Sequence, residues 1–218
     1  MDVASMVGAV TRVVKTVERD GKPARVVIAE RDYPTDIEDL WNALTDKARI
    51  PRWFLPIDGD LELGGRYQFT GNAGGEIIAC EPPRSFTVTW EFGGGVSWVT
   101  VMLAAKGAET TALTLEHSAH ITDEAEVFWT QYGPGATGVG WDLGLMGLAL
   151  HVASGESTVM GPEAESQWAA SDEGRAYITG AADGWVAAAI GDGDDPQAAR
   201  AAGQNTKGFY TGEPPSQS

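Results

Sequence analysis

Residues 133–152 read GPGATGVGWDLGLMGLALHV. At about 100° per residue, Val139, Leu143, Met146 and Leu150 fall on one apolar stripe and Trp141, Leu145, Leu148 and Val152 on a second. Little polar face remains, so the segment is expected to be a central helix covered on two sides. Gly140, Gly144 and Gly147 lie between the stripes, with His151 ending the row. Each glycine costs a helix about 1 kcal/mol relative to alanine, so a backbone or a ligand is expected to approach closely there.

Upstream, the texture is that of a sheet. From Asp58 to Thr122, short apolar runs are divided by Gly64-Gly65, Gly71 to Gly75, Pro82-Pro83 and Gly93 to Gly95, the spacing of an antiparallel meander of five strands. Phe86, Val88, Trp90 and Phe92 alternate with Ser85, Thr87, Thr89 and Glu91, which predicts one buried and one wet face. Tyr67 and Phe69 share a face, as do Val99, Val101 and Leu103, and Leu113, Leu115 and His117. Before the meander, valine-rich runs over 7–18 and 24–31 flank Asp20-Gly21, a hairpin-turn dipeptide. Thr35 and Glu38 suit a capping box for a helix with Ile37, Leu40, Trp41 and Leu44 on one face, and a short helix or turn over 47–54 carries Trp53 and Phe54.

Downstream, Thr122 can cap a short helix ending at Gly133-Pro134, and Thr137 can cap the central helix. Ser171 before Asp172 and Glu173 starts another helix, with Ile178 and Trp185 on one face, and Asp195-Pro196 opens a last one. The second stripe of the central helix needs a cover, and Trp168, Ile178, Trp185 and Phe209 are available to supply it. A homodimer interface is the rival cover.

The chain has 218 residues, 43% hydrophobic and 21% charged, enough for one sizeable core and an appendage. Its net charge of −16 argues against nucleic acid and anionic membrane as partners. Cys80 is the only cysteine, the start MDVASM lacks the basic and apolar regions of a signal peptide, and no apolar run approaches a membrane span. These features place the chain in the cytoplasm as an expectation, with no membrane partner.

The segments IEDLWNALTDKARIPRWFLP (37–56), GGRYQF (64–69), PPRSFTVTWEF (82–92) and LTLEHSAH (113–120), followed by a long helix, together resemble the SRPBCC or START-like superfamily. Within it, the match is to proteins similar to the C-terminal domain of the activator of Hsp90 ATPase. The resemblance implies an α+β helix-grip fold of the Bet v 1/START-like kind, a curved antiparallel sheet around a long C-terminal helix with an apolar cavity between them. On that basis residues 1–160 are expected to form the helix-grip domain, with its N-terminal hairpin over 7–31. Residues 161–210 are expected to form a helical extension packed on it, and 211–218 a disordered tail.

If that fold is adopted, Trp53, Phe54, Tyr67, Phe69, Trp90, His117, Trp141, Gly144 and Gly147 are the expected ligand-binding residues of an apolar pocket with few polar anchors. Core packing is the competing reading of the same aromatics. His117 and Tyr67 are the candidate proton carriers should the cavity catalyse a cyclase- or aromatase-like reaction. No other feature supports an enzyme, and a satisfied structural histidine is the simpler account of His117. His117 and His120 do not make a metal pair, because residues three apart on a strand face opposite ways. GPGATG (133–138) matches a dinucleotide-binding pattern, but it lacks the preceding strand and reads better as a helix stop and restart. No metal or cofactor is therefore expected. The reading that results is a binder of a small hydrophobic molecule, ahead of the enzyme. A chaperone-associated role, which only the Hsp90-activator resemblance implies, comes last.

Overall fold

The computed structural model describes residues 2–213. Eight strands form one sheet: β1 (Thr11–Arg19), β2 (Lys22–Tyr33), β3 (Ile57–Gly59), β4 (Arg66–Phe69), β5 (Gly74–Glu81), β6 (Ser85–Phe92), β7 (Gly95–Gly107) and β8 (Thr110–His120). Their order is β1-β2-β8-β7-β6-β5-β4-β3. The helices are α1 (Val3–Gly8), α2 (Ile37–Thr45), α3 (Asp123–Tyr132), α4 (Gly135–Ser154), α5 (Pro162–Ala170), α6 (Asp172–Asp192) and α7 (Pro196–Thr211). The α+β class with an antiparallel sheet and a long helix after it is thus observed, and no helix among the described residues is long and apolar enough to cross a membrane.

The chain divides into two compact units, one of residues 1–29, 120–143 and 160–218, the other of residues 30–119 and 144–159. The boundary passes through α4, so each unit contains half of the central helix.

In the first unit, Asp20 and Gly21 turn the β1–β2 hairpin with φ angles of 52° and 72°, the left-handed pair that a two-residue loop requires. α6 starts where Ser171 accepts from the Gly174 amide at 3.1 Å, and it lies along β1 and α1. Its buried face carries Tyr177, Ile178, Ala181, Ala182, Trp185 and Ala189. The first half of α4 contributes Asp142, which is fully buried. Its Oδ2 accepts from Arg12 Nε at 3.0 Å and from Trp185 Nε1 at 2.8 Å, while Tyr177 donates its hydroxyl to the Asp142 carbonyl at 2.9 Å. A buried carboxylate is tolerable only with such partners. The indole of Trp185 occupies the place a Cβ on Gly138 would take. Asp195 caps α7 by accepting from the amides of Gln197 and Ala198.

At the junction of α3 and α4, Gly133 has a φ of 61° and ends α3, and α4 restarts at Gly135. α7 closes this junction. Thr206 donates to the Tyr132 carbonyl at 2.7 Å and Tyr210 to the Ala136 carbonyl at 2.6 Å, and Thr206 Cγ2 would sit 2.9 Å from a Cβ on Gly135. The glycines of 133–138 thus lie at a helix stop and restart against which α7 packs.

In the second unit, β3 to β8 form an antiparallel meander. α2 packs toward β7, with Trp41 edge-on to Phe86 at 5.9 Å. A 3-10 turn over Ile50–Arg52 follows, opened by Pro51. The second half of α4 is tied down at Leu145, whose carbonyl accepts from the Tyr33 hydroxyl at 3.1 Å. It is tied again at its end by His151, whose Nδ1 donates to the Glu156 carbonyl at 2.6 Å while its Nε2 accepts from Arg49 Nε at 3.1 Å. Arg49 also bonds Asp39 Oδ1 at 2.7 Å, and this guanidinium holds the Asp39 carboxyl below the usual carboxylate range.

Several local expectations are corrected. Asp36, not Thr35, caps α2 by accepting from the Asp39 amide at 2.8 Å; the Thr35 hydroxyl instead donates to Asp39 Oδ2. Thr137 lies inside α4, because Pro134 already begins the turn by accepting from the Gly138 amide. The stretch after Asp58 holds part of a three-residue β3 besides the five strands expected. Residues 3–8 are helical, with Asp2 capping them, so β1 begins at Thr11 instead of residue 7. α5 precedes α6. Of the tail expected over 211–218, Thr211 ends α7 and Gly212 caps it, while 214–218 lie outside the described residues.

Candidate functional site

The register of the meander decides which side chains meet. Val88 pairs with Val99 and Trp90 with Ser97 across β6 and β7, and Val99 pairs with His117 and Val101 with Leu115 across β7 and β8. Phe86, Val88, Trp90, His117 and Leu115 therefore share one side of the sheet, which we call the inner face.

On that face the aromatics touch in series. Phe54 stands edge-on to Phe69 at 5.1 Å, Phe69 lies 5.8 Å from Trp90, and Trp90 lies 6.0 Å from the His117 ring. Trp53 extends the series beside Phe54 at 5.5 Å, and Tyr67 stands edge-on to Phe69 at 5.4 Å. Edge-to-face and tilted pairs at these separations are favourable arrangements of ring quadrupoles. Tyr67 and Phe69 are buried, whereas Trp53, Phe54, Trp90 and His117 are only half-buried. The inner face thus carries a contiguous aromatic wall, four of whose rings fall short of full burial.

The second half of α4 meets this wall through its glycines. A Cβ on Gly144 would stand 3.3 Å from the Phe54 ring, and one on Gly147 would stand 2.7 Å from the Trp53 carbonyl oxygen. The close approach implied by the glycine row is made here by one ring and one backbone carbonyl. Gly140, in the other unit, would meet the Tyr210 hydroxyl at 3.0 Å. Trp53 is itself pinned, since its indole Nε1 donates to the Ala43 carbonyl at 2.8 Å.

The polar groups on the wall are few. Ser97 donates its hydroxyl to the Trp90 carbonyl at 3.2 Å and is left to accept from His117 Nε2 at 2.8 Å. Burial lowers the His117 pKa to about 4, which keeps the ring neutral at physiological pH. Tyr67 donates to the Thr89 carbonyl at 2.7 Å, and burial raises its pKa above the ordinary phenol value. One polar group on this side is missing from the sequence reading. Arg31 on β2 is 6% exposed, and among the described residues no acceptor serves its Nε or Nη1. An unsatisfied buried donor costs about 1–3 kcal/mol, more when charged.

Eight of the nine residues expected to bind ligand lie in this unit, Trp53, Phe54, Tyr67, Phe69, Trp90 and His117 as one wall and Gly144 and Gly147 behind it. Trp141 belongs to the other unit. His117 and His120 part company as their spacing implies, His120 Nε2 lying 3.1 Å from the Arg19 carbonyl. Among the described residues no group of three or more His, Cys, Asp or Glu side chains could hold a metal ion.

Comparison with known proteins places this geometry among relatives. The model of the family described as Activator of Hsp90 ATPase homolog 1-like protein matches residues 34–152, from the start of α2 through most of α4. The solution structure of CalU16 from Micromonospora echinospora is similar at 30% identity with a TM-score of 0.67, over 84% of this chain and 97% of that one. Its crystal structure gives 29% identity and a TM-score of 0.63, over 84% of this chain and 99% of that one. DynU16, a protein of the dynemicin biosynthetic locus, shares the fold at 24% identity and a TM-score of 0.52, over 62% of this chain and 49% of that one. No curated protein matches the chain. Since the family model spans more than half of its length and CalU16 aligns almost end to end, the chain belongs to the Activator of Hsp90 ATPase homolog 1-like family of the SRPBCC superfamily.

Proposed function

We propose that the protein binds a small hydrophobic molecule on the inner face of the second unit, against Phe54, Phe69, Trp90 and His117, and carries out no chemistry on it. The observation that carries this reading is the aromatic wall itself: its rings are in mutual contact, yet Trp53, Phe54, Trp90 and His117 remain half-buried. Apolar surface left open within a folded unit gains free energy when a ligand covers it, about 25 cal/mol per Å². Gly144 and Gly147 serve the site by letting Phe54 and Trp53 close against α4.

The state of the two candidate proton carriers supports binding over catalysis. A histidine with a pKa of about 4 is a weak base at neutral pH, and a tyrosine raised above its ordinary value, with its proton committed to Thr89, is a weak acid. The Ser97–His117 hydrogen bond is the single feature that suits a cyclase-like enzyme, and it orients the ring without bringing its pKa toward 7.

Titration of the full chain with the neutral fluorescent probe N-phenyl-1-naphthylamine tests the reading. Trp90→Ala and Phe54→Ala should each weaken probe binding about tenfold, whereas Phe209→Ala, which removes a 64% exposed ring of the first unit, should leave it unchanged. A wild-type protein that fails to bind the probe, or binding indifferent to both wall substitutions, defeats the proposal. A stable complex with a chaperone and no bound apolar molecule on purification from the source would favour the role named in the family's description.

A further inference from the structure

Along the end of β2, burial alternates without a break: Ala29, Arg31 and Tyr33 are buried, and Glu30 and Asp32 are exposed. Tyr33 is fully buried and its hydroxyl reaches the Leu145 carbonyl of α4, so this is the side of the strand that the second half of α4 covers. Arg31, two residues away on the same side, has its guanidinium carbon 5.7 Å from the Tyr33 ring centroid. That is the outer limit of a cation–π contact and satisfies no N–H. Its Nε and Nη1 are sealed from solvent with no acceptor among the described residues. The strand's own carboxylates cannot help. Glu30 and Asp32 point the other way, and Asp32 is already bonded to Lys106 at 2.8 Å.

A guanidinium carries five donors in a rigid fork and no acceptor of its own, a geometry matched by a carboxylate. Methionine would fill much the same volume without a buried charge, so packing gives no reason for a cation here. The chain as a whole carries a net charge of −16, so its general field repels anions, and any anion it holds must be held by a local cation.

We propose that Arg31 is an anchor for the carboxylate of an apolar carboxylic acid, which the inner face of the second unit holds by its hydrocarbon or aryl part. This rests on the apolar-site reading above and adds to it the charge and class of the ligand. Binding places the carboxylate oxygens on the guanidinium N–H groups, and no covalent step is involved.

The test uses the full chain and two probes with the same aryl skeleton, neutral N-phenyl-1-naphthylamine and anionic 8-anilino-1-naphthalenesulfonate, with wild-type and Arg31→Met protein. The substitution should weaken the sulfonate probe about tenfold or more and leave the neutral probe within twofold. Equal loss of both probes, or of neither, overturns the anchor. A wild-type protein that binds the neutral probe with no Arg31 dependence of the anionic one keeps the apolar site and removes the anchor, whereas a protein that binds neither probe removes both. If Arg31→Met does not fold, displacement of the neutral probe from wild-type protein decides. Decanoate should displace it at lower concentration than 1-decanol, although the alcohol is the more apolar competitor, and 2-naphthoate should do so better than 2-naphthol. Either acid outcompeting its alcohol supports the anchor, and the stronger acid distinguishes an acyl chain from an aryl ligand. Alcohols that compete as well as the acids overturn it.

Discussion

The two halves of α4 show opposite treatments of a buried charge. In the first unit, Asp142 is fully buried and meets Arg12, and Trp185 bonds the same oxygen. In the second, Arg31 is buried to a similar degree, and its Nε and Nη1 meet nothing among the described residues. The surroundings differ in the same sense. Tyr177 and Trp185 are sealed beside the first half of the helix, while Trp53 and Phe54 beside the second half remain half-buried. One interior sets its buried carboxylate against a buried guanidinium of its own. In the other, Trp53, Phe54 and Trp90 keep exposed surface and two donors of Arg31 lack an acceptor among the described residues, which the proposed ligand would cover and pair.

Substitutions can break or sharpen that contrast, and the largest effect should come from the finished side. Asp142→Leu leaves the Arg12 guanidinium buried without its carboxylate, and removing one partner of a buried pair costs about 3–5 kcal/mol. Urea unfolding should show this as a large fall in midpoint at unchanged slope. A loss below about 1 kcal/mol would mean that the first unit is no more committed than the second.

Next in size is the pH response of His117. Its folded pKa of about 4 lies below the ordinary value of 6.5, so the unfolded chain takes up the proton first. Stability contributed by the neutral ring is fully present above pH 6.5 and is lost as pH falls toward 4, on the order of 3 kcal/mol in all. His117→Gln should flatten the stability profile in that window. Wild-type and variant curves that run parallel from pH 7 to 4 would show that the ring is not desolvated.

Two glycines of α4 compare the packing directly. Gly138→Ala drives a Cβ into the buried Trp185 indole and should cost about 1–3 kcal/mol, whereas Gly144→Ala meets the half-buried Phe54 ring at 3.3 Å. There the ring can yield, and the helix-propensity gain of about 1 kcal/mol roughly offsets the contact. Thermal melts of the pair should separate clearly. Equal costs would mean that the wall around Phe54 is as rigid as the Trp185 core. The smallest change is expected for Arg31→Met, within about 1 kcal/mol of wild type or slightly more stable, because it removes a buried charge that no described acceptor serves.

Much of the architecture was legible because it depends on patterns that repeat. The stripes of α4, the alternation of β6 and the Asp20-Gly21 turn each express a local period or a local backbone requirement. Errors fell where local signals were equivalent or too short. Thr35 and Asp36 are both competent caps side by side, and only the path of the chain into α2 selects Asp36. β3 has three residues, too few to display alternation, and α5 has no apolar stripe strong enough to announce it. The shared face of Tyr67 with Phe69 and of Leu115 with His117 is legible by parity, whereas the unit to which Trp141 belongs is not, because the sequence shows two apolar stripes and does not say which one each part of the fold covers. The burial of Arg31 is masked in the sequence for a different reason. Three consecutive charges, Glu30, Arg31 and Asp32, resemble the wet end of a strand, although parity with Tyr33 puts the middle one inside.

The sequence by itself determined the periodicities, the turn chemistry and the resemblance that together define an antiparallel sheet with a long helix and a family. These follow from interactions among neighbours in the chain. Which stripe of α4 meets which partner, that Trp53 and Phe54 fill the spaces beside Gly147 and Gly144, and that Asp142 is paired while two Arg31 donors are not, were decided only by the tertiary structure. Burial and pairing depend on residues tens to more than a hundred positions apart, and no local period encodes where those residues come to rest.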